Sequence, residues 1–355
     1  MGHPAPTDVT AVSRRARIAL PLMAVVLLAA TVASLAVGRY QLDIPLLLQT
    51  LQALPRLVGQ LLDGQTPALD NAELVVFKMR LPRVLGAILI GGSLGLAGAA
   101  FQGMFRNPMV SPDLLGASAG AGFAAACAML VSAPVIVITG SAFLGGCAAV
   151  FLTYAISLAV GRGTPGITVL VLSGVVIGAL FQACVSITKY VADPYSQLPG
   201  ITFFLMGGLS SITWRDILTL LVPLAVGAFV LFLLRWRINL LALKDEEAQS
   251  LGMDTNRVRL VVILCATLIT AVSVAVGGMI GWVGLVIPHF MRMLVGPDHR
   301  RLLPASLFGG ALYLVVMDDL ARALFAMEIP IGILTALVGA PVFLLLLLRY
   351  RGGWS

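Results

Sequence analysis

The sequence predicts an all-α integral membrane protein of about ten transmembrane helices, and three observations carry that prediction. Hydrophobic residues make up 59% of the 355 and charged residues only 11%, where a soluble domain carries about 25% charged. Charge-free apolar runs recur along the chain, each near the roughly 20 residues that cross a bilayer core. Glycine occurs 37 times, and Gly91-Gly92, Gly95 and Gly98 repeat at about one helical turn, the spacing with which membrane helices pack backbone to backbone.

Uncharged windows place the spans at 18–38, 84–105, 114–131, 135–160, 167–188, 217–234, 260–276, 281–295, 302–321 and 329–348. The first follows Arg14, Arg15 and Arg17 and is longer than the apolar stretch of a cleaved signal peptide, so it reads as a retained helix. Arg80-Leu81-Pro82-Arg83 opens the second, and Phe105-Arg106-Asn107-Pro108 turns the chain after it on the cytoplasmic side. Leu114 to Gly161 carries no charge and is too long for one helix, which makes Ser132-Ala133-Pro134 a short hairpin between the third and fourth. Pro194 to Trp214 is also uncharged. Its Pro194, Pro199, Gly200, Gly207 and Gly208 would interrupt a lipid-facing helix, so it reads as a short external or re-entrant segment.

Between the sixth and seventh spans, Leu240, Leu243, Ala248 and Leu251 give residues 239–256 the pattern of short amphipathic helices. That segment is too polar to enter the bilayer and suits either the membrane surface or a groove on a cytoplasmic partner. The eighth span opens on a glycine-rich run with Gly278, Gly281 and Gly284, followed by Pro288 and His289. It reads as a discontinuous helix broken at Pro288, of the kind that lines a cavity or a moving gate. Asp318, Asp319 and Arg322 close the ninth span, with Asp319 and Arg322 at ion-pair spacing, and Glu328-Ile329-Pro330-Ile331-Gly332 opens the tenth.

With the N-terminus inside, 15 of the 23 Lys and Arg fall in cytoplasmic segments, as the positive-inside rule requires. The organisation is then a cytoplasmic tail at 1–17, a transmembrane domain at 18–348 and a cytoplasmic tail at 349–355. Eleven spans with the N-terminus outside satisfy the charge count about as well. The net charge of +7 reports topology, and no basic-aromatic motif points to nucleic acid.

Nothing resembles GxxxxGK[ST], so any nucleotide hydrolysis belongs to another chain. Cys127, Cys147, Cys184 and Cys265 each sit alone in an apolar stretch, and His289 has no neighbouring ligand type, so neither a metal site nor a catalytic residue is expected. An ion-coupled secondary transporter or channel is the rival class. It would normally carry acidic residues in mid-span, and Asp318 and Asp319 lie near a helix end.

From about Arg80 to Arg349 these segments together resemble the FecCD family of ABC importer permeases. The matches are the R-L-P-R start, the F-R-N-P turn, Leu251-Gly252, Gly284-Leu285-Val286-Ile287-Pro288-His289, Glu328 to Gly332, and Gly339-Ala340-Pro341-Val342-Phe343. The resemblance implies a type II ABC importer permease fold in a bacterial inner membrane, with two permease copies around one pathway and two cytoplasmic ATPase subunits beneath. A homodimer is expected, although a heterodimer would leave no mark on one chain. It implies no cofactor in this chain. It makes Leu241, Asp245, Glu246, Glu247, Ala248, Leu251 and Gly252 the elements that couple to the ATPase. Lys244 stands where the family commonly has glycine. It further implies that a periplasmic binding protein docks its acidic residues on Arg80, Arg83 and Arg322, delivering an iron chelate, a siderophore by preference over haem or cobalamin.

Overall fold

A computed structural model describes residues 9–38, 40, 42–56, 60, 69–161, 166–324 and 327–349, with side chains from Ile18 onward except at 347 and 349. The expected tails therefore lie almost wholly outside the described residues. Among those described, the regular elements are all helical. They are α1 (Val9–Ala36), α2 (Ile44–Gln52), α3 (Asn71–Phe105), a 3-10 turn (Pro112–Leu115), α4 (Ala117–Leu130), α5 (Val135–Val160), α6 (Ile167–Val191) and α7 (Leu198–Met206). Then follow α8 (Trp214–Leu240), α9 (Asp245–Ser250), α10 (Thr255–Gly277), α11 (Val283–Val295), α12 (His299–Ala323) and α13 (Ile331–Arg349).

Seven of these helices, α1, α3, α5, α6, α8, α10 and α12, are long and apolar enough to cross a membrane. The expected count of about ten also needs α4 and α11, which are apolar but shorter, and α13, which is apolar over its residues 331–346. At 14 and 13 residues, α4 and α11 reach only about 20 Å of a hydrocarbon core about 30 Å thick. Between Pro194 and Trp214 only the nine-residue α7 forms, so no eleventh span-length helix is present there.

The bundle is organised by depth of burial. In α3, 83% of the most apolar window is buried, whereas α1, α5 and α6 bury 11%, 22% and 22% and present rows of Leu, Val and Ile outward. Exposed apolar rows of this length match a lipid surround. The axis α3 lies antiparallel on α12, and its glycines set the distance. A Cβ at Gly91 would overlap the Gly310 carbonyl oxygen, one at Gly95 that of Ser306, and one at Gly98 that of Gly284 on α11.

Local chemistry positions the start of α3. A capping box joins Asp70 and Glu73, and Arg56 pairs with Glu73 at 2.5 Å. Residues Val75–Arg80 then wind as a π-helical turn in which the Leu81 N–H reaches the Val76 carbonyl. Pro82 has no N–H for the preceding turn, and the wide turn before it lets the helix run on without a break.

The expected break at Pro288 is misplaced. Pro288 lies inside α11, and the chain leaves helical geometry at residues 278–282, between α10 and α11. Backbone dihedrals decide this, because Gly278 and Trp282 adopt left-handed φ values of 68° and 71°, which no helix accommodates. The expected hairpin before Val135 is present between the ends of α4 and α5.

Candidate functional site

In the ten-span topology expected from the sequence, with no span-length helix between Pro194 and Trp214, the end of the bundle that carries Arg83 is the outer one and the end that carries Arg106 the inner one. Because α3 and α12 are antiparallel and α1 ends beside them, Arg80, Arg83 and Arg322 converge at the outer end. Arg83 donates from Nε to both oxygens of Asp318 at 2.9 and 3.1 Å, and from an Nη atom to both oxygens of Glu328 at 3.0 Å. Arg322 pairs with Asp318 at 3.2 Å and with Asp319, and donates to the Ser34 hydroxyl at 2.8 Å and the Val37 carbonyl at 3.0 Å. Ser34 in turn donates to Asp319 at 2.6 Å. Arg80 donates to the carbonyls of Leu35 and Ala36, at 2.7 and 3.1 Å, and of Tyr40.

The three arginines expected to receive a binding protein are buried at the outer end. They are 5%, 8% and 7% exposed, each engaged by internal acceptors. A guanidinium at this depth needs acceptors, and the free carbonyls ending α1 together with three carboxylates supply them. Arg83 and Arg322 share the three carboxylates, while Arg80 is held by backbone carbonyls. All three arginines nonetheless line one cavity of about 460 Å³, together with Lys78, Tyr40 and Glu328. The Asp319–Arg322 pair expected from spacing forms, but as one strand of this larger web.

Three irregular segments meet below the cluster. The Gly208 N–H donates to the Gly277 carbonyl at 2.9 Å and the Ile331 N–H to the Gly207 carbonyl at 3.0 Å. This ties the end of α7, the break after α10 and the start of α13 into one knot. Gly278 is required there, since a Cβ would strike the Phe204 carbonyl oxygen and φ is positive. Trp282 packs on Gly339 of α13, Gly281 borders open space, and Gly284 lies against Pro112 and Gly98. His289 is buried on α11 with its ring edge-on to Phe343, centroids 6.4 Å apart.

At the inner end the hub is Asp245. It accepts two bonds from Arg259 of α10, at 2.6 and 3.0 Å, and one from Arg106 at 2.7 Å, while Arg106 Nε also donates to the Leu241 carbonyl at 2.7 Å. Arg106 reaches across because it ends α3 in the left-handed conformation, φ 54°. The hydrogen bonds from Arg259 hold the Asp245 carboxyl below its ordinary pKa, against the burial that raises it.

The expected short amphipathic helices resolve to one, the six-residue α9, because α8 continues to Leu240. Leu241 and Ala248 are fully buried and pin the segment to the bundle. Glu246, Glu247 and Leu251 are exposed, Leu251 at 64%, and Gly252 turns the chain at φ 80°. In the cytoplasmic turn, Asn107 accepts from the Met109 N–H at 2.9 Å and Pro108 is buried.

Sequence reasoning missed several of these partners. Arg259 and Ser34 drew no attention in the sequence, and nothing there links them or Glu328 to partners up to 288 positions away. Asn239, which joins Asp298 at 2.7 Å and His299 at 2.9 Å, carried no signal beyond its place at a helix end. Among the described residues no group of three or more His, Cys, Asp or Glu is placed to hold a metal ion.

Comparison with known proteins gives a consistent picture. The model of the FecCD transport family matches residues 26–349. A molybdate import permease of Haemophilus influenzae is 37% identical over 93% of this chain and 95% of its own length. A Helicobacter pylori protein described as a probable iron chelatin transport permease is 39% identical over 80% of this chain and 85% of its own. Among solved structures, an inward-facing ABC transporter described as of metal-chelate type superposes with a TM-score of 0.82 at 36% identity, covering 93% of this chain and 98% of that one.

Proposed function

The chain belongs to the FecCD transport family and is an ABC importer permease for metal-chelate-type substrates, and on that premise we propose that its cargo is an iron chelate of the siderophore class. The observation that supports this choice is that three of the relatives are described for iron-chelate transport, at 37–39% identity, beside cobalamin and hemin permeases at 41% and 40%. Haem and cobalamin are cargoes of comparable bulk. Molybdate, named for the relative at 37% identity, is a much smaller one.

The route runs from the outer cavity to the inner end. A loaded periplasmic binding protein docks over the cavity that Arg80, Arg83, Arg322 and exposed Lys78 line. Charge-assisted pairs with acidic residues would orient it and make its arrival salt-dependent. Substrate then passes between two permease copies in the plasma membrane. The irregular stretch from Gly278 to Trp282, with Gly284, Pro288 and His289 on α11, serves as the gate. Helices cannot bend smoothly where φ is positive, so such a joint moves as a hinge between rigid arms. Two cytoplasmic ATPases seat the exposed side of α9, with Glu246, Glu247, Leu251 and Gly252. Their closure pulls through Asp245 on both α3 and α10.

Ion coupling through Asp318 fits poorly, because that carboxylate is held between Arg83 and Arg322 and its side chain is 1% exposed. A proton or sodium ion would have to displace two guanidinium groups.

The test is reconstitution in liposomes with the ATPase and binding protein encoded beside this chain, offering ferric siderophore, haem, cobalamin or molybdate. The expected result is ATP-dependent uptake and stimulated hydrolysis with ferric siderophore. Stimulation by molybdate or cobalamin alone would reassign the cargo, and uptake without ATP would remove the importer reading.

A further inference from the structure

Glu328 and Asp318 both hold Arg83, but on unequal terms. The Asp318 side chain is 1% exposed and is shared with Arg322, whereas the Glu328 side chain is 35% exposed and, among the described residues, bonds Arg83 alone. Glu328 also lines the outer cavity, so a carboxylate arriving there meets the same guanidinium from the solvent side.

What Glu328 holds in place is equally specific. It stands three residues before α13, whose first amide, that of Ile331, is bonded to the Gly207 carbonyl. Gly332, one residue on, lies so close to the Met206 carbonyl that a Cβ would overlap it, and Gly208 is bonded to Gly277 at the break. The chain of contacts from Arg83 thus passes through Glu328 to the start of α13 and on to the joint between α10 and α11.

We propose that Glu328 is a displaceable internal carboxylate that occupies Arg83 until an acidic side chain of a docking protein takes its place, its release freeing the start of α13 and the joint beside it. This rests on the docking reading above and adds to it a named internal competitor. The exchange keeps Arg83 paired throughout, which avoids leaving a buried guanidinium alone, and Asp318 anchors that side chain while its second partner changes. Glu328 is therefore a positioning residue.

The sign of the effect separates this role from a merely structural one. In Glu328→Gln, Arg83 loses its competitor, so the neighbouring binding protein should bind the permease in nanodiscs about two- to fivefold tighter, the scale of a partly exposed ion pair. Hydrogen exchange at the Ile331 amide should quicken without any partner present, and Glu328→Asp should restore part of both values. Docking on the wild type should quicken the same amide.

Weaker or unchanged docking by Glu328→Gln overturns the exchange, and unchanged protection at Ile331 overturns the link to α13. The double variant Arg80→Glu, Lys78→Glu tests the docking reading separately. If it leaves binding intact while Glu328→Gln also changes nothing, the docking site itself is elsewhere and the exchange falls with it. If it abolishes binding while Glu328→Gln has no effect, only the exchange is wrong.

Discussion

At the outer end Arg83 joins Asp318 and Glu328, and at the inner end Asp245 joins Arg106 and Arg259. The two arrangements use the same bonds between three charged side chains, yet the central group is 10% exposed outside and 45% exposed inside. Outside, the central residue is a cation that cannot return to water, so its partners are structural obligations. Inside, it is an anion that water reaches, and its bond to Arg106, itself 34% exposed, contributes little to stability and is easily remade. The inner hub suits a contact that must transmit repeated movement, and the outer cluster suits a frame with one exchangeable member.

Removing Asp318 should break the outer frame most severely. Asp318→Ala leaves two buried arginines short of a carboxylate and should cost about 3–5 kcal/mol, read as a large loss of thermal stability in detergent. An effect under about 1 kcal/mol would show that water enters the cluster and that the two ends do not differ in kind.

The frame also depends on helix contact, so Gly95→Val should cost about 1–3 kcal/mol by pushing α3 from the Ser306 carbonyl of α12. Equal tolerance of Val at Gly95 and at Gly140, which has open space around it, would undo the packing argument.

At the inner end, Asp245→Asn should cost under about 1 kcal/mol because the carboxyl is half exposed. Its pKa is lowered in the folded state, so the stabilisation is present above the ordinary carboxylate value of about 4 and is lost as pH falls through the lowered one. Comparing unfolding of wild type and Asp245→Asn across acidic pH should show the gap closing at low pH. A gap independent of pH would sharpen the comparison the other way, making the hub a packing element.

The smallest effect on stability should come from Leu251→Ser, within about 0.5 kcal/mol, since that side chain is exposed. Coupling between hydrolysis and uptake in liposomes should nonetheless fall, which marks the exposed side of α9 as a partner surface.

Much of this was legible in the chain. The Gly91, Gly95 and Gly98 spacing announced the α3 axis, because close packing demands the same missing side chain at each turn. The Ser132-Ala133-Pro134 hairpin and the Asn107-Pro108 turn appeared where local turn chemistry put them. Pro288 misled, because a proline breaks a helix only if the preceding turn cannot adapt, and the left-handed residues Gly278 and Trp282 carry no equally plain mark. Arg80, Arg83 and Arg322 were found as a set, but their burial and their internal partners were not legible.

By itself the sequence determined that this chain lives in lipid, where most of its spans begin and end to within about five residues, and which family it resembles, because hydropathy, turn residues and ordered motifs are local properties. Only the tertiary structure decided which carboxylates Arg83 and Arg322 meet, which helix is central, and that Glu328 is the most exposed carboxylate of the cluster. Those outcomes depend on residues as far as 245 positions apart meeting at one depth, and burial and pairing are properties of that meeting rather than of either segment.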